Sequence, residues 1–252
     1  MNDTEDVVAV IPARHASTRF PGKPLAEIAG RSMIRRVYEQ TQKAQRIDRI
    51  VVATDDERIL HHVEEFGGNA VLTSSEHASG TDRVAEAARL VGGGGIVINV
   101  QGDEPMLPPE LLDTLVEALQ TTHYGCATPV RRITSTEHLL SPNIVKVALT
   151  SDLRPLYFSR SPIPHARSLP VERWLEAYPY YVHIGIYAYR HVALEQFVAA
   201  PPSQLEISEG LEQLRLYELD IPILCVETDY AGHAVDTPED VAIVERLLAA
   251  SA

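Results

Sequence analysis

Three cations, two hydroxyls and one glycine crowd into ten residues near the start of the chain: Arg14, Ser17, Thr18, Arg19, Gly22 and Lys23. Arg14, Arg19 and Lys23 can neutralise a polyanion, while Ser17, Thr18 and the amides near Gly22 can donate to its oxygens. The chain as a whole carries a formal charge of −13. This loop therefore reverses the local sign, which focuses the field on a small anion. Neither common phosphate loop is present. Lys23 is followed by Pro24, and the loop has a single glycine, which excludes both G-x-x-x-x-G-K-[ST] and G-x-G-x-x-G.

A second constellation is Asn99-Val100-Gln101-Gly102-Asp103-Glu104-Pro105. Asp103, beside a glycine that permits close approach, is placed to bind magnesium shared with phosphate oxygens. The same residues also suit a plain turn with Glu104 in solvent. In Val235-Asp236-Thr237-Pro238-Glu239-Asp240, either Asp236 or Thr237 can be the N-cap of a last helix with Pro238 at its first position. Asp103 plus Asp236 would equally meet magnesium's usual demand for one or two protein carboxylates.

Further along, Arg160, His183, Tyr187, Glu212, Gln213 and Arg215 form a mixture suited to a polyhydroxylated acid. Arg160 can pair with a carboxylate, and His183, Tyr187 and Gln213 can bond hydroxyls. Each has a structural alternative. His183 and Tyr187 can pack within a strand, and the stretch from Leu205 to Arg215 can be a helix with a leucine stripe and a solvated charged face.

The elements that must carry these groups alternate. Apolar runs at Val7 to Ile11, Ile50 to Ala53, Ala70 to Leu72, Ile96 to Val100 and Gly125 to Pro129 read as strands. Between them, Met33 to Ala44, Glu57 to Phe66, Thr81 to Val91 and Pro108 to Gln120 have helical spacing. The pattern predicts an α/β fold with a doubly wound, mostly parallel sheet, and it puts both phosphate-binding candidates at strand carboxyl ends, where such sheets bind ligands. Gly92 to Gly95 reads as a flexible joint. From Arg131 to Tyr189 the runs shorten (Ile144 to Leu149, Pro155 to Phe158, Ile184 to Tyr189), which predicts a smaller mixed or antiparallel insertion. Helices at His191 to Phe197 and Ser208 to Leu219, a strand at Ile221 to Val226 and a helix from Pro238 to Leu248 return to the first layer.

With 252 residues, 45% apolar and 23% charged, the chain suits one large α/β domain or one domain with an insertion. Its acidity argues against nucleic acid as a partner. The start is acidic, lacks a cationic leader and precedes an apolar run too short to span a membrane, so a cytoplasmic enzyme or binding protein is expected. Cys126 and Cys225 show no metal-ligand pattern and are expected as buried free thiols.

Taken in order, several motifs resemble those of the 3-deoxy-manno-octulosonate (KDO) cytidylyltransferases. They are Ile11-Pro12-Ala13-Arg14 with Ser17-Thr18-Arg19 and Pro21-Gly22-Lys23-Pro24; Ala53-Thr54-Asp55; Ser79-Gly80-Thr81-Asp82-Arg83; Asn99 to Pro105; Tyr157-Phe158-Ser159-Arg160; His183-Ile184-Gly185-Ile186-Tyr187; Leu211-Glu212-Gln213-Leu214-Arg215; and Val235-Asp236-Thr237. Two departures are His15, where tyrosine is common, and Ala234, where glycine is common. The resemblance implies a Rossmann-like fold of the nucleotide-diphospho-sugar transferase type. Residues 1–130 and 190–252 would form its nucleotide-binding domain, and 131–189 an inserted region for sugar binding and dimerisation. It implies CMP transfer from CTP to an eight-carbon acid sugar for lipopolysaccharide synthesis, with Mg2+ and a homodimer. By motif, Arg14, Ser17, Arg19, Lys23, Ser79, Gly80 and Arg83 would meet the nucleotide, and Asp103 and Asp236 the metal. Gln101, Arg160, His183, Tyr187, Glu212 and Gln213 would meet the sugar, with Arg14, Lys23 and Asp103 at the chemistry. The alternatives are a cytidylyltransferase for an amino-substituted octulosonate or another acid sugar, and a non-catalytic nucleotide-binding regulator.

Overall fold

The computed structural model describes residues 5–16 and 20–250. Two compact units divide the chain: residues 1–117 with 232–252, and residues 118–231.

In the first unit, β1 (Val7–Ala13) is followed by a short β-ribbon of β2 (Glu27–Ile28) and β3 (Arg31–Ser32) and by α1 (Met33–Thr41). Then come β4 (Arg49–Thr54), α2 (Glu57–Glu65), β5 (Ala70–Leu72), α3 (Gly80–Leu90), β6 (Ile96–Asn99) and α4 (Pro109–Gln120), the helix along which the chain leaves this unit. The strands run in the order β5-β4-β1-β6, and every neighbouring pair is parallel. Val7, Val8, Ala9, Val10 and Ile11 are all buried, as the unbroken apolar run requires of a strand covered on both faces. The β1 register sets Pro12 and Ala13 beside Ala53 and Thr54, so the loops after β1 and β4 leave the sheet side by side.

The glycine run after α3 is fixed rather than loose. The Arg49 guanidinium donates to the carbonyls of Val91 and Gly93. Gly92 and Gly93 take φ of +87° and +74°, which favour glycine.

The second unit is built around β7 (Cys126–Arg132). After it come α5 (Thr136–Leu140), β8 (Lys146–Leu149), β9 (Pro155–Ser159), α6 (Trp174–Ala177), β10 (Tyr181–His183), β11 (Tyr187–Arg190), α7 (His191–Ala199), α8 (Gln204–Glu209), α9 (Arg215–Glu218) and β12 (Ile223–Glu227). β12 pairs with β7 in parallel, while β10 and β11 pair with it antiparallel; β8 joins β10, and β9 joins β8, also antiparallel. The unit is wider than the expected 131–189 because β7 and β12 hydrogen-bond to each other and β7 also holds β10 and β11. The chain then returns to the first unit for a final helix, Pro238–Ala250.

Two expected elements differ. The run Ile184 to Tyr189 is strand only from Tyr187: β10 ends at His183, β11 begins at Tyr187, and the gap between them faces Pro129, which has no amide proton for the ladder. The helix expected from Ser208 to Leu219 stops at Gly210, whose φ of +63° closes α8; a 3-10 turn at Glu212–Leu214 and the separate α9 follow. Cys126 and Cys225 are free and buried. No described helix is long and apolar enough to cross a membrane.

Candidate active site

Gly22 turns the loop after β1. Its amide donates to the His15 carbonyl at 2.9 Å, and its φ of +73° caps the 3-10 turn Lys23–Leu25. That turn delivers Lys23 to the loop after β6. There Nζ donates to Asp103 Oδ2 at 2.8 Å and lies 3.6 Å from Asp236 Oδ1. Gly102 makes the approach possible, since a Cβ on it would lie 2.7 Å from the Pro12 carbonyl oxygen. Arg14 follows β1 directly and is half-buried. Ser17 and Arg19 lie outside the described residues.

Asp236 is delivered by a segment fastened at two points. The Val235 amide donates to the Asp103 carbonyl at 2.9 Å, and the His233 amide to Glu104 Oε2 at 3.0 Å. Glu104 is therefore buried and bonded rather than solvated. The capping of the final helix falls to Asp240, whose Oδ2 accepts from the amides of Asp236 and Thr237 and from the Thr237 hydroxyl. Those bonds hold its carboxyl below the usual range. The Asp236 side chain is thus turned to Lys23 instead of the helix end. Neither Glu104 nor Asp240 stood out in the sequence, because both act through backbone amides whose positions only the fold defines.

The two carboxylates fit magnesium by donor chemistry. Both are hard oxygen ligands gathered on one cationic group, and two is the number magnesium commonly takes from protein beside phosphate and water. Asp103 and Asp236 remain 26% and 45% exposed, leaving faces open to a ligand.

Ser79 and Gly80 sit at the start of α3, where Ser79 and Asp82 form a reciprocal capping box. Arg83, one turn on, is fully buried. Its Nη1 donates to Thr73 Oγ1 at 2.5 Å and its Nη2 to Asp55 Oδ2 at 2.8 Å. Two separately noted motifs, Ala53-Thr54-Asp55 and Ser79 to Arg83, are thus joined by one ion pair. Glu86 on the same helix accepts from the Ser74 amide and pairs with His77, tying down the segment before Ser79.

In the second unit, Arg160 spans a cleft of carbonyls. Nε donates to Glu209 O at 2.8 Å, Nη1 to Pro142 O at 3.1 Å and Nη2 to Gly210 O at 3.3 Å. Both terminal nitrogens keep a second N–H for a carboxylate. Nearby, the fully buried Lys146 donates to the carbonyls of Ser141 and Ile144, and burial lowers its pKa. His183 is buried, with Nε2 2.9 Å from Thr128 Oγ1 and Nδ1 3.5 Å from Gln213 Nε2. Burial pushes its pKa down to about 3. The Tyr187 ring lies beside it, centroids 5.4 Å apart, and burial raises that phenol well above its ordinary value. Glu212 and Gln213 occupy the 3-10 turn, half-buried and buried respectively. Gln101 follows β6 and is half-buried, its carbonyl accepting from the Glu104 amide. Arg215 is not on a solvated face: it forms a two-pronged pair with Glu206 at 2.6 and 2.7 Å and stacks on Phe197.

Residues 8–223 match the cytidylyltransferase family model. A 3-deoxy-manno-octulosonate cytidylyltransferase of Thermodesulfovibrio yellowstonii is 46% identical, covering 96% of this chain and 97% of its own. One of Myxococcus xanthus is 49% identical, covering 96% of each chain. This chain belongs to the 3-deoxy-manno-octulosonate cytidylyltransferases. A solved CMP:2-keto-3-deoxy-manno-octonic acid synthetase complexed with CTP superposes with a TM-score of 0.91 at 40% identity, over 98% of this chain and all of that one. The 4-diphosphocytidyl-2C-methyl-D-erythritol synthase of Anaerococcus prevotii, at 17% identity and a TM-score of 0.64, shares the fold.

As a KDO cytidylyltransferase the chain is a nucleotidyltransferase. For that chemistry the first unit offers a cation set between two carboxylates, a grouping able to hold a triphosphate with a divalent metal. The second offers neutral and cationic donors set in a buried hydrogen-bonded frame.

Proposed function

We propose that this KDO cytidylyltransferase transfers CMP from CTP to the anomeric hydroxyl of 3-deoxy-manno-octulosonate and releases pyrophosphate. The observation that carries the reading is the convergence of Lys23, Asp103 and Asp236 around the loops that leave β1 and β6, in a chain of this family. The hydroxyl oxygen attacks the α-phosphorus in line, the bond to the bridging oxygen of the β-phosphate breaks, and the hydroxyl proton passes to solvent. Arg14, Ser17, Arg19 and Lys23 hold the phosphates, with Ser79 and Gly80 on the nucleotide side and the fully buried Arg83, paired with Asp55, bracing their helix rather than touching the ligand. Asp103 and Asp236 would hold a magnesium ion, which would neutralise phosphoryl oxygens and lower the pKa of the attacking hydroxyl. Lys23, drawn to phosphate in place of carboxylate, stabilises the charge that develops on departing pyrophosphate.

Neither His183 nor Tyr187 suits a general base. His183, with a pKa of about 3, is too weak, and Tyr187 keeps its proton. Catalysis then rests on positioning and charge. Arg160 takes the sugar carboxylate, and Gln101, His183, Tyr187, Glu212 and Gln213 its hydroxyls. The same reading makes the enzyme a cytoplasmic homodimer that serves lipopolysaccharide assembly, on the strength of its family.

The purified protein should release pyrophosphate only when CTP, Mg2+ and 3-deoxy-manno-octulosonate are all present. Binding of CTP without release in that mixture would point to a regulator. A panel holding the amino-substituted octulosonate and a sialic acid identifies the sugar, and sedimentation gives the subunit number.

A further inference from the structure

Thr128, in the middle of β7, is absent from every motif that carries the family likeness, yet its hydroxyl touches three groups. Oγ1 lies 2.8 Å from the Ile186 carbonyl oxygen, 3.3 Å from that of Ile184 and 2.9 Å from His183 Nε2. Thr128 is fully buried, so these are its partners rather than water. A hydroxyl has one proton to give and lone pairs to receive with. A carbonyl can only accept, so that proton belongs to a carbonyl. The contact with His183 is then satisfied only when Nε2 carries the hydrogen.

We infer that Thr128 is a positioning residue that fixes His183 as its Nε2–H tautomer and so sets the direction of a buried hydrogen-bond chain ending at Gln213. Nδ1 is left as an acceptor. It faces the Gln213 amide nitrogen at 3.5 Å, the end of the side chain that donates. Gln213 is itself buried, and with its nitrogen given to His183 its Oε1 is left as an acceptor for another group. Every donor in the chain therefore points toward the Ile186 carbonyl: Gln213 donates to His183, His183 to Thr128, Thr128 to the backbone. The far end presents an oxygen that accepts, which matches the O–H donors of a polyhydroxylated ligand. Burial of the imidazole, with its pKa near 3, keeps the ring neutral and the chain unidirectional at working pH. This inference rests on the proposal that His183 and Gln213 serve the sugar, and it adds the residue that orients them.

The break between β10 and β11 is what exposes the Ile184 and Ile186 carbonyls to a side chain. A continuous antiparallel ladder along β7 would engage them in strand pairing.

The test uses the intact protein with nitrogen-15 in its histidines. Wild type should show His183 with Nε2 protonated and Nδ1 bare; the opposite tautomer or an imidazolium at neutral pH would overturn the proposal without further experiments. Thr128→Val should mix the tautomers and raise KM for the sugar about tenfold, the loss of one hydrogen bond, with KM for CTP unchanged. Thr128→Ser should restore wild-type values. Equal losses for both substrates, or no rescue by serine, would reduce Thr128 to a packing role. If Thr128→Val does not fold, the wild-type spectrum and the serine variant still decide. If the tautomer is as stated but His183→Gln leaves sugar KM unchanged, the sugar assignment fails while the positioning by Thr128 stands.

Discussion

The Lys23 ammonium donates to Asp103 Oδ2 at 2.8 Å, across the gap between two loops that leave adjacent parallel strands. This contact joins the residue types that looked most like phosphate and metal ligands, and it makes the ion pair the part of the site most exposed to single substitutions.

Asp103→Asn keeps the size and one acceptor of the side chain but removes its charge. Pyrophosphate release should fall by at least about a hundredfold, the scale on which removal of one preorganised electrostatic group acts. Far-ultraviolet circular dichroism should be unchanged. Near-normal turnover would take Asp103 out of the metal site.

Gly102→Ala places a methyl group 2.7 Å from the Pro12 carbonyl oxygen, which is backbone and cannot swing aside. The loop must shift, at a cost of about 1–3 kcal/mol. Urea unfolding should register the loss, and kcat should drop with it because Asp103 is the next residue. An active variant of wild-type stability would show that the two loops are looser than their contact indicates.

Arg160→Ala removes the guanidinium while leaving the carbonyls of Pro142, Glu209 and Gly210 without their donor. KM for the acid sugar should rise by about tenfold to a hundredfold, the worth of a charge-assisted pair, and KM for CTP should change little. Equal rises for both substrates would contradict its assignment to the sugar carboxylate.

His183 gives the protein a defined acid sensitivity. Its folded pKa, about 3, lies below the ordinary 6.5, so between these values the unfolded chain binds a proton that the folded one refuses. Stability should therefore fall as pH drops from 6.5 toward 3, by at most about 1.4 kcal/mol per pH unit from this group. Thermal unfolding of His183→Gln across that range should have a flatter pH profile than wild type. Parallel profiles would mean that the imidazole is reached by water before unfolding.

Much of the framework was legible from residue patterns because its strongest signals are local. The unbroken apolar run of β1 could only be a strand covered on both sides, and Gly102 announced a close backbone approach before the partner, Pro12, was known. The missed features depend on partners distant in sequence. Nothing around Arg83 shows that its charge will be buried against Asp55, and nothing around Glu104 shows that it will hold the His233 amide. The apolar run Ile184 to Tyr189 carried a strand signal, but its interruption is dictated by Pro129 on another strand. Gly210 was a local signal, overridden in the reading by the leucine spacing around it.

The pairing of β10, β11 and β12 with the single strand β7 bears on how this family can vary in length. Side chains alternate along a strand, so one residue gained or lost between Cys126 and Val130 would carry Thr128 to the opposite face and move Pro129 away from the one gap that tolerates it. Homologues should therefore accommodate insertions and deletions in the segments between β7 and β8 or between β9 and β10, while these five positions keep their count.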